Sequence, residues 1–218
     1  MAKETYMQFV YNKIVGFEPG DPILIQTLGK ELAEKYGIDY KKANANVSVV
    51  IKRIIKNGTI PALRCFAGGT YYLAKQTVFG ETGINKEKLI RIRYLNGDNG
   101  YETGATIMHK IGLTSMMPAQ RVIVSNIKKR TITDEKLDIV VKAPKTTVTR
   151  GNWKYLQFLD LLNIYDEVPI DIEEPYAVLC AFVKKHGLDY GKLLNIASLH
   201  YNTDTIIKLA NVARNLEE

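Results

Sequence analysis

The spacing of apolar and polar residues predicts three helices at the start of the chain, over residues 3–16, 26–36 and 40–57. Apolar side chains recur in these segments every three to four residues, as one buried helix face requires. Gly37 ends the second helix, and Asp39 is placed to cap the third by accepting hydrogen bonds from free backbone N–H groups. The third helix has an apolar stripe formed by Ala43, Val47, Val50, Ile51 and Ile54.

Two short strands are predicted after the third helix, at residues 60–66 and 70–74. Gly68 and Gly69 lie between them and allow a tight turn, because glycine adopts positive φ without strain. Helices followed by such a hairpin are typical of a winged helix-turn-helix, in which one helix enters a DNA groove. We therefore expect residues 1–80 to form a winged helix-turn-helix DNA-binding domain.

Residues 81–218 predict a second, mixed domain with a small sheet and several helices. Residues 120–126 and 137–142 are rich in β-branched side chains and predict strands, whereas residues 96–100 predict a loop. The helices of this domain are predicted at residues 84–95, 103–111, 153–164, 174–186, 191–198 and 203–215. The expected fold class is α+β.

The formal net charge of +7 is unevenly distributed. Residues 1–80 hold 11 basic and 6 acidic side chains, residues 81–150 hold 13 and 7, and residues 151–218 hold 6 and 10. The excess of basic residues in 1–80 and 81–150 favours a polyanionic partner such as nucleic acid. The sequence lacks both a run of 18 apolar residues and the apolar segment of a signal peptide, so we expect a cytoplasmic protein with no membrane partner.

Short polar and basic side chains lie largely opposite the apolar stripe of the third helix. Asparagine can bond adenine in two places, and lysine or arginine can bond guanine, so Lys41 and Asn44 are the expected readers of base edges. Lys52 is expected to contact a DNA phosphate. Arg64 in the hairpin is expected to contact the DNA backbone or the minor groove. The alternative is a solvated face, since lysines opposite an apolar stripe occur on many surface helices. The DNA-binding candidates are Lys41, Lys42, Asn44, Ser48, Lys52 and Arg64.

A second basic cluster, Lys128, Lys129 and Arg130, lies between the two strands predicted in the second domain. Two interpretations remain open for it. It extends a phosphate-binding surface, or it forms the charged tip of a hairpin and keeps a strand edge soluble.

No residue pattern predicts catalysis, a metal site or a cofactor. His109, His186 and His200 do not stand at metal-ligand spacing from another His, Cys or acid. The glycines of residues 97–104 lack the lysine of a phosphate-binding P-loop. Cys65 and Cys180 lie far apart and predict two reduced thiols. We expect a protein that is not an enzyme.

Residues 26–145 also resemble a known family. Gly100 to Gly104 reads Gly-Tyr-x-x-Gly, the turn at residues 111–114 reads Ile-Gly-Leu-Thr, and residues 116–118 read Met-Met-Pro. Together with the sequences at 52–60, 69–72 and 79–80, this order resembles the AbiEi-like antitoxins of bacterial type IV toxin–antitoxin (abortive infection) systems. Met-Met-Pro stands where that family usually has Gln-Val-Pro.

The resemblance implies a DNA-binding N-terminal domain that represses its own operon, and we expect its target to be inverted repeats in that promoter. It also implies that residues 81–218 counter a nucleotidyltransferase-like toxin, without a stable complex being required. Because this domain is tied to antitoxicity in such relatives, Lys128 to Arg130 become candidates for partner or RNA contact. The alternative is a protein- or RNA-interaction module in which the winged helix is a scaffold and the C-terminal domain carries the activity.

Overall fold

The computed structural model of the protein describes residues 4–96 and 99–217. The chain forms two compact units, the first ending at Leu89 and the second starting at Ile90. This boundary lies beyond the predicted residue 80, because residues 81–89 are tied to the first unit. The backbone N–H of Asn85 donates to the carbonyl of Gly20 at 2.7 Å, and Lys88 forms an ion pair with Asp21 at 2.5 Å.

The first unit contains three helices and a three-stranded antiparallel sheet in the strand order β1-β3-β2. The predicted helices and hairpin strands are confirmed to within a few residues at each end; the predicted first residue of the first helix, Lys3, lies outside the described residues. The elements are α1 (Tyr6–Val15), β1 (Ile23–Leu24), α2 (Ile25–Tyr36), α3 (Tyr40–Lys56), β2 (Leu63–Ala67) and β3 (Thr70–Leu73).

Local signals set the ends of these helices. The Thr5 hydroxyl accepts a hydrogen bond from the Gln8 N–H at the start of α1. The predicted cap of α3 is confirmed, since the Asp39 carboxylate accepts from the Lys42 N–H at 3.1 Å. Gly37 ends α2 at φ 62°, in the left-handed region that glycine enters at least cost.

The core of the first unit lies between the three helices and the inner face of the sheet. The predicted stripe of α3 is buried, with exposed fractions of 0% to 7%. Each large apolar side chain buried in this way stabilises the fold by about 1.5–3 kcal/mol. Tyr71 on β3 is also buried, whereas the next residue, Tyr72, is only half-buried, as strand alternation requires.

A second, smaller hairpin follows the sheet and was not predicted from the sequence. It pairs β4 (Gln76–Thr77) with β5 (Gly80–Glu81). The two residues at its tip, Val78 and Phe79, are 93% and 98% exposed.

The second unit has a four-stranded sheet in the order β6-β7-β9-β8, with helices packed against it. Strands β7 and β9 are parallel, and the other neighbours are antiparallel. Helix α4 (Lys86–Tyr94) contains the boundary between the units. The elements that follow are β6 (Gly100–Thr103), α5 (Ala105–Lys110), β7 (Arg121–Ser125), β8 (Ile132–Asp134), β9 (Ile139–Lys142), α6 (Trp153–Asn163), a 3-10 helix (Tyr165–Glu167), α7 (Pro175–His186), α8 (Tyr190–His200) and α9 (Thr203–Glu217).

The sheet of the second unit corrects two expectations. Gly100 begins strand β6 instead of ending a loop, because it pairs with Ser125 of β7. Only glycine fits at this point, since a Cβ there would lie 2.3 Å from the carbonyl oxygens of both Tyr94 and Val124. Of the predicted loop, Gly97 and Asp98 lie outside the described residues. The predicted strands at 120–126 and 137–142 do not form a hairpin, since they pair in parallel and β8 is formed between them.

Helix α6 is the centre of the second core. Its leucines and Phe158 are almost fully buried, and the rings of Phe158 and Phe182 on α7 stack with centroids 5.5 Å apart. Gln157 is buried among them and donates to the carbonyl of Glu102 at 2.8 Å, which satisfies both groups. None of the helices described for residues 4–96 and 99–217 is both long and apolar enough to cross a lipid bilayer.

Candidate nucleic-acid interface

Helix α3 exposes a surface whose charged side chains are all positive. No Asp or Glu occurs between Tyr40 and Lys56. Positions three, four and seven residues apart share one side of a helix, so the residues opposite the buried stripe form a continuous strip. This α3 face consists of Lys41, Lys42, Ala45, Ser48, Val49, Lys52, Arg53 and Lys56, all exposed except the half-buried Ser48.

The cations of the α3 face lack the acidic partner that Lys13, Lys35, Arg64 and Lys88 of the first unit have. Elsewhere in the unit, Lys13 pairs with Glu31 at 2.6 Å, and Lys35 pairs with Glu4. Within the described part of the chain, no ion pair involves a basic residue of α3. Five unneutralised positive charges on 17 residues create a local potential that attracts polyanions.

The structure places Asn44, a predicted reader of base edges, away from this face. A Cβ added to Gly29 would lie 1.8 Å from the Asn44 Oδ1 and 3.2 Å from the Asn44 Cα, so α2 and α3 are in close contact at this point. The Asn44 Oδ1 is buried there without a hydrogen-bond partner in the described residues.

The centre of the α3 face at this level is occupied by a small apolar residue. Each residue turns the side chain by about 100° around the helix, so Asn44 and Asn46 lie on opposite flanks, with Ala45 between them. Ala45 is exposed, whereas both asparagines are half-buried. Lys41, Lys42 and Ser48 are therefore the hydrogen-bonding groups that the first half of the face presents beside Ala45.

Arg64, the predicted contact of the first hairpin, is engaged within the protein. Its Nη2 donates to Glu81 at 2.5 Å and its Nε donates to the same carboxylate at 3.2 Å. Its Nη1 donates to the carbonyl of Pro61 at 2.6 Å. The pair raises the pKa of Arg64 and lowers the pKa of Glu81. No sequence signal indicated this partner, because Glu81 belongs to the second hairpin, which was not predicted.

A concavity of about 640 Å³ lies beside the N-terminal end of α3. Tyr40 is part of both the concavity and the start of α3, and Lys30 of α2 adds a further cation. The lining residues are Gln26, Thr27, Lys30, Ala33, Glu34 and Tyr40. Because Glu34 also lines it, the concavity carries one charge of each sign and does not extend the basic α3 face.

The second basic cluster lies in the connection between β7 and β8. Lys128 and Lys129 line an open groove of about 550 Å³, whereas Arg130 is exposed but does not line it. Arg130 thus has a different position from its two neighbours, although the sequence groups all three.

A polar cluster that sequence reasoning missed surrounds Asp160 of α6. The hydroxyls of Tyr101 and Tyr201 donate to its two carboxylate oxygens at 2.8 Å and 2.7 Å. Burial raises the pKa of Asp160, against the two hydrogen bonds and the nearby Lys142 and Lys145, which lower it. Burial also raises the pKa of both tyrosines, so their hydroxyls remain donors. The residues come from β6, α6 and the α8–α9 connection, and no spacing rule joins them.

The Asp160 cluster borders a cavity of about 120 Å³ that also reaches Lys142, Lys145 and Asn163. Ligand sites for drug-sized molecules are typically about 300–1,000 Å³. The cavity is therefore too small for such a molecule, and the hydrogen bonds of Asp160 are made within the fold. We interpret this cluster as a structural centre of the second unit that also positions its lysines.

Comparison with known proteins adds no family to this picture. No protein-family model matches the chain, and no curated protein matches it. A function is therefore best inferred from the chemistry of the basic surfaces, together with the resemblance described above.

Proposed function

We propose that the protein is a sequence-specific, double-stranded-DNA-binding transcriptional autorepressor, with the α3 face as its recognition surface. The observation that carries this proposal is the row of cations on α3, which have no ion-pair partner among the described residues and stand on a helix braced by a buried apolar stripe. Rigid backing is what a recognition helix needs, because base contacts depend on fixed side-chain positions.

The order of elements supports a winged helix-turn-helix for the first unit. Helices α2 and α3 pack closely at Gly29 and Asn44, and the β2–β3 hairpin follows directly in the chain. Strand β1 completes an antiparallel sheet behind them. In this proposal α3 lies in the major groove, which is about 12 Å wide and admits one helix.

Different residues of the α3 face have different roles in this arrangement. Lys41, Lys42, Ala45 and Ser48 lie in its first half, where recognition helices make base contacts. Lys41 and Ser48 bond base edges, and the methyl group of Ala45 suits the methyl group of a thymine. The cations further along the helix neutralise phosphates, a contribution that depends on salt and not on base sequence. These cations are Lys52, Arg53 and Lys56.

We further propose that the protein is the antitoxin of a type IV toxin–antitoxin pair that acts in the bacterial cytoplasm. The resemblance of residues 26–145 to AbiEi-like antitoxins supports this step. Co-expression with a nucleotidyltransferase-like gene from the same operon tests it. We expect the full chain to rescue growth; growth arrest that persists at full expression of the protein contradicts the antitoxin proposal and leaves DNA binding untouched.

Fluorescence anisotropy with the upstream promoter fragment tests the DNA-binding proposal. The combined Lys41→Ala and Ser48→Ala change should cost about 1–3 kcal/mol for each lost base contact, which is a tenfold or greater loss of affinity. Lys52→Ala should weaken binding to all sequences and lower the salt slope by about 0.9.

Asn44→Ala is the matched control, since it removes a polar side chain at the same level of α3 but on the side packed against α2. It should leave DNA affinity nearly unchanged. Equal affinity of the wild-type protein for promoter and random DNA would remove the regulator proposal. A loss with Asn44→Ala as large as that with Lys41→Ala and Ser48→Ala would show that the recognition face has been misassigned.

A further inference from the structure

The lysine-lined groove of the second unit is built at one edge of its sheet. Strands β7 and β9 run parallel, with Val124 opposite Lys142, so the segments that leave their carboxyl ends meet at the same edge. Lys128 and Lys129 follow β7, and Lys142 and Lys145 lie at the end of β9 and just beyond it. Parallel pairing therefore brings together two pairs of cations that are 13 or more residues apart in the chain.

Hydrogen bonds fix the two segments to each other. The Asn126 side chain donates to the Val148 carbonyl at 2.7 Å and accepts from the Val148 N–H at 2.9 Å. The Asn152 side chain holds the second segment by bonding the Thr147 carbonyl at 2.9 Å and the Thr149 N–H at 2.7 Å. The groove is thus preformed, and a ligand need not order its walls.

The chemistry of the groove suits phosphate groups. Its lining residues are Asn126, Lys128, Lys129, Ala143, Pro144, Thr146 and Thr147. These described residues supply two ammonium groups, an amide and two hydroxyls, and they include no carboxylate and no aromatic ring. Ala143 also lines the cavity beside Asp160, and Lys142 and Lys145 line that neighbouring cavity together with the Asp160 carboxylate. Two lysines thus line the groove, and two more line the cavity that shares Ala143 with it.

Contacts with Tyr201 and Asn163 fix the position of the Lys145 ammonium. The ammonium lies 4.1 Å from the centre of the Tyr201 ring and 3.4 Å from the Asn163 Oδ1. The Tyr201 hydroxyl is itself fixed by the Asp160 carboxylate at 2.7 Å. Asp160 and Tyr201 therefore act as positioning residues for this cation, which is a role for a buried cluster that contacts no ligand directly.

We propose that these connections form a second nucleic-acid site, a lysine groove lined by Lys128 and Lys129, with Lys142 and Lys145 at the neighbouring cavity, that binds the phosphodiester backbone of a single strand. A single strand fits a concave path, whereas a duplex presents its phosphates on a wide convex cylinder that suits the projecting α3 face. Because the groove offers no aromatic ring for base stacking, binding is independent of sequence and strongly dependent on salt.

Fluorescence anisotropy of a short labelled single-stranded RNA with the full chain tests this proposal. The protein carries Lys41→Ala and Lys52→Ala throughout, so that binding through the α3 face is weakened equally in all samples. Adding Lys128→Gln, Lys129→Gln and Lys145→Gln should lower the salt slope by about 0.7 for each lost phosphate contact. The affinity should fall at least tenfold at low salt.

The matched control replaces three exposed lysines on other elements of the second unit by Gln, namely Lys184, Lys185 and Lys192. It changes the net charge equally and should retain the RNA affinity and slope of its parent. Fluorescence of Trp153, the single tryptophan of the chain, confirms that both variants keep the second unit folded. Equal affinity of the groove and control variants would overturn the proposal.

Two competition arms distinguish the source of the phosphate. Unlabelled RNA should displace the probe much better than a mononucleotide or inorganic phosphate at the same phosphate concentration. Equal displacement by a mononucleotide would overturn the assignment to a strand in favour of a small phosphate ester. If the protein fails to bind the promoter through the α3 face, the RNA measurement still holds. All its samples already carry Lys41→Ala and Lys52→Ala, so the comparison does not depend on DNA binding by α3.

Discussion

The two units of the protein present positive charge in different ways. In the first unit, the cations of the α3 face project from one continuous helix, and their spacing follows from helical periodicity alone. In the second unit, the lysine groove combines two segments that only the parallel pairing of β7 and β9 brings together. The comparison shows that a projecting basic face is a property of local sequence, whereas a concave basic site is a property of topology.

Each unit has one glycine packed so closely that a Cβ would overlap a neighbour, but the neighbouring atoms differ in how easily they can move. Gly29 in the first unit faces mainly the flexible side chain of Asn44, with the Asn44 Cα 3.2 Å from a Cβ placed there, so most of this contact can move. Gly100 in the second unit faces two carbonyl oxygens of fixed backbone. The same substitution, glycine to alanine, should therefore separate a tolerant contact from an intolerant one.

The largest effect is expected for Gly100→Ala. The new Cβ would overlap the Tyr94 and Val124 carbonyl oxygens, which belong to a helix and to the neighbouring strand and cannot shift independently. We expect a loss of about 3 kcal/mol or more in the free energy of unfolding of the second unit. Denaturation followed by Trp153 fluorescence measures it, and unchanged stability would show that β6 does not pair with β7 as described.

Asp160→Ala should have the next largest effect, because it leaves the hydroxyls of Tyr101 and Tyr201 without their acceptor. Each buried unsatisfied group costs about 1–3 kcal/mol, so we expect a total loss near 3 kcal/mol. Chemical denaturation measures it, with Asp166→Ala as a control at an exposed position. A loss no larger than that of the control would rule out the proposed structural role.

The same carboxyl predicts a pH dependence. Burial raises the pKa of Asp160, despite opposing contributions from the two tyrosines, Lys142 and Lys145, so the native state holds the proton more tightly than the unfolded chain. Stability should then fall as pH rises from the ordinary aspartate pKa of about 4 through the raised native value. Asp160→Asn should flatten this part of the curve, and an identical slope in both proteins would contradict the assignment.

Gly29→Ala should cost less, about 1–2 kcal/mol, since overpacking against Asn44 is partly offset by the better helix propensity of alanine. Adding Asn44→Ala should recover much of the loss by removing the opposing Oδ1. The double-mutant cycle, followed by circular dichroism, measures this coupling. Additive effects of the two changes would show that Asn44 does not occupy the α2–α3 contact.

The smallest effect is expected for Glu81→Gln, which releases Arg64 from its ion pair. Because the pair is exposed, stability should change little. Arg64 would become available for a phosphate, and the salt slope of DNA binding should then rise by up to about 0.9. Glu18→Gln gives the same charge change at an exposed position and is the control; the same slope in both variants would place Arg64 away from the DNA.

Much of the first unit could be predicted from the sequence because its signals are local. The α3 stripe, the Asp39 cap and the glycine turn between β2 and β3 each depend on neighbouring residues, and the structure has them where the pattern indicates. The position of Asn44 was not predictable, because the pattern fixes a side chain only to a broad sector of the helix. The packing of α2 at Gly29 decides which edge of that sector is buried.

By itself, the sequence determined the α+β class, the helices and the strength of charge on α3, since helical periodicity, capping and turn chemistry operate within a few residues. Only the tertiary structure decided that β7 and β9 pair in parallel, that Arg64 is bound to Glu81, and that Asp160 meets two tyrosines from 59 and 41 residues away. These contacts form between segments that are distant in sequence and are brought together by packing of the hydrophobic core. The spacing of residues within one segment does not specify which distant segment packs against it.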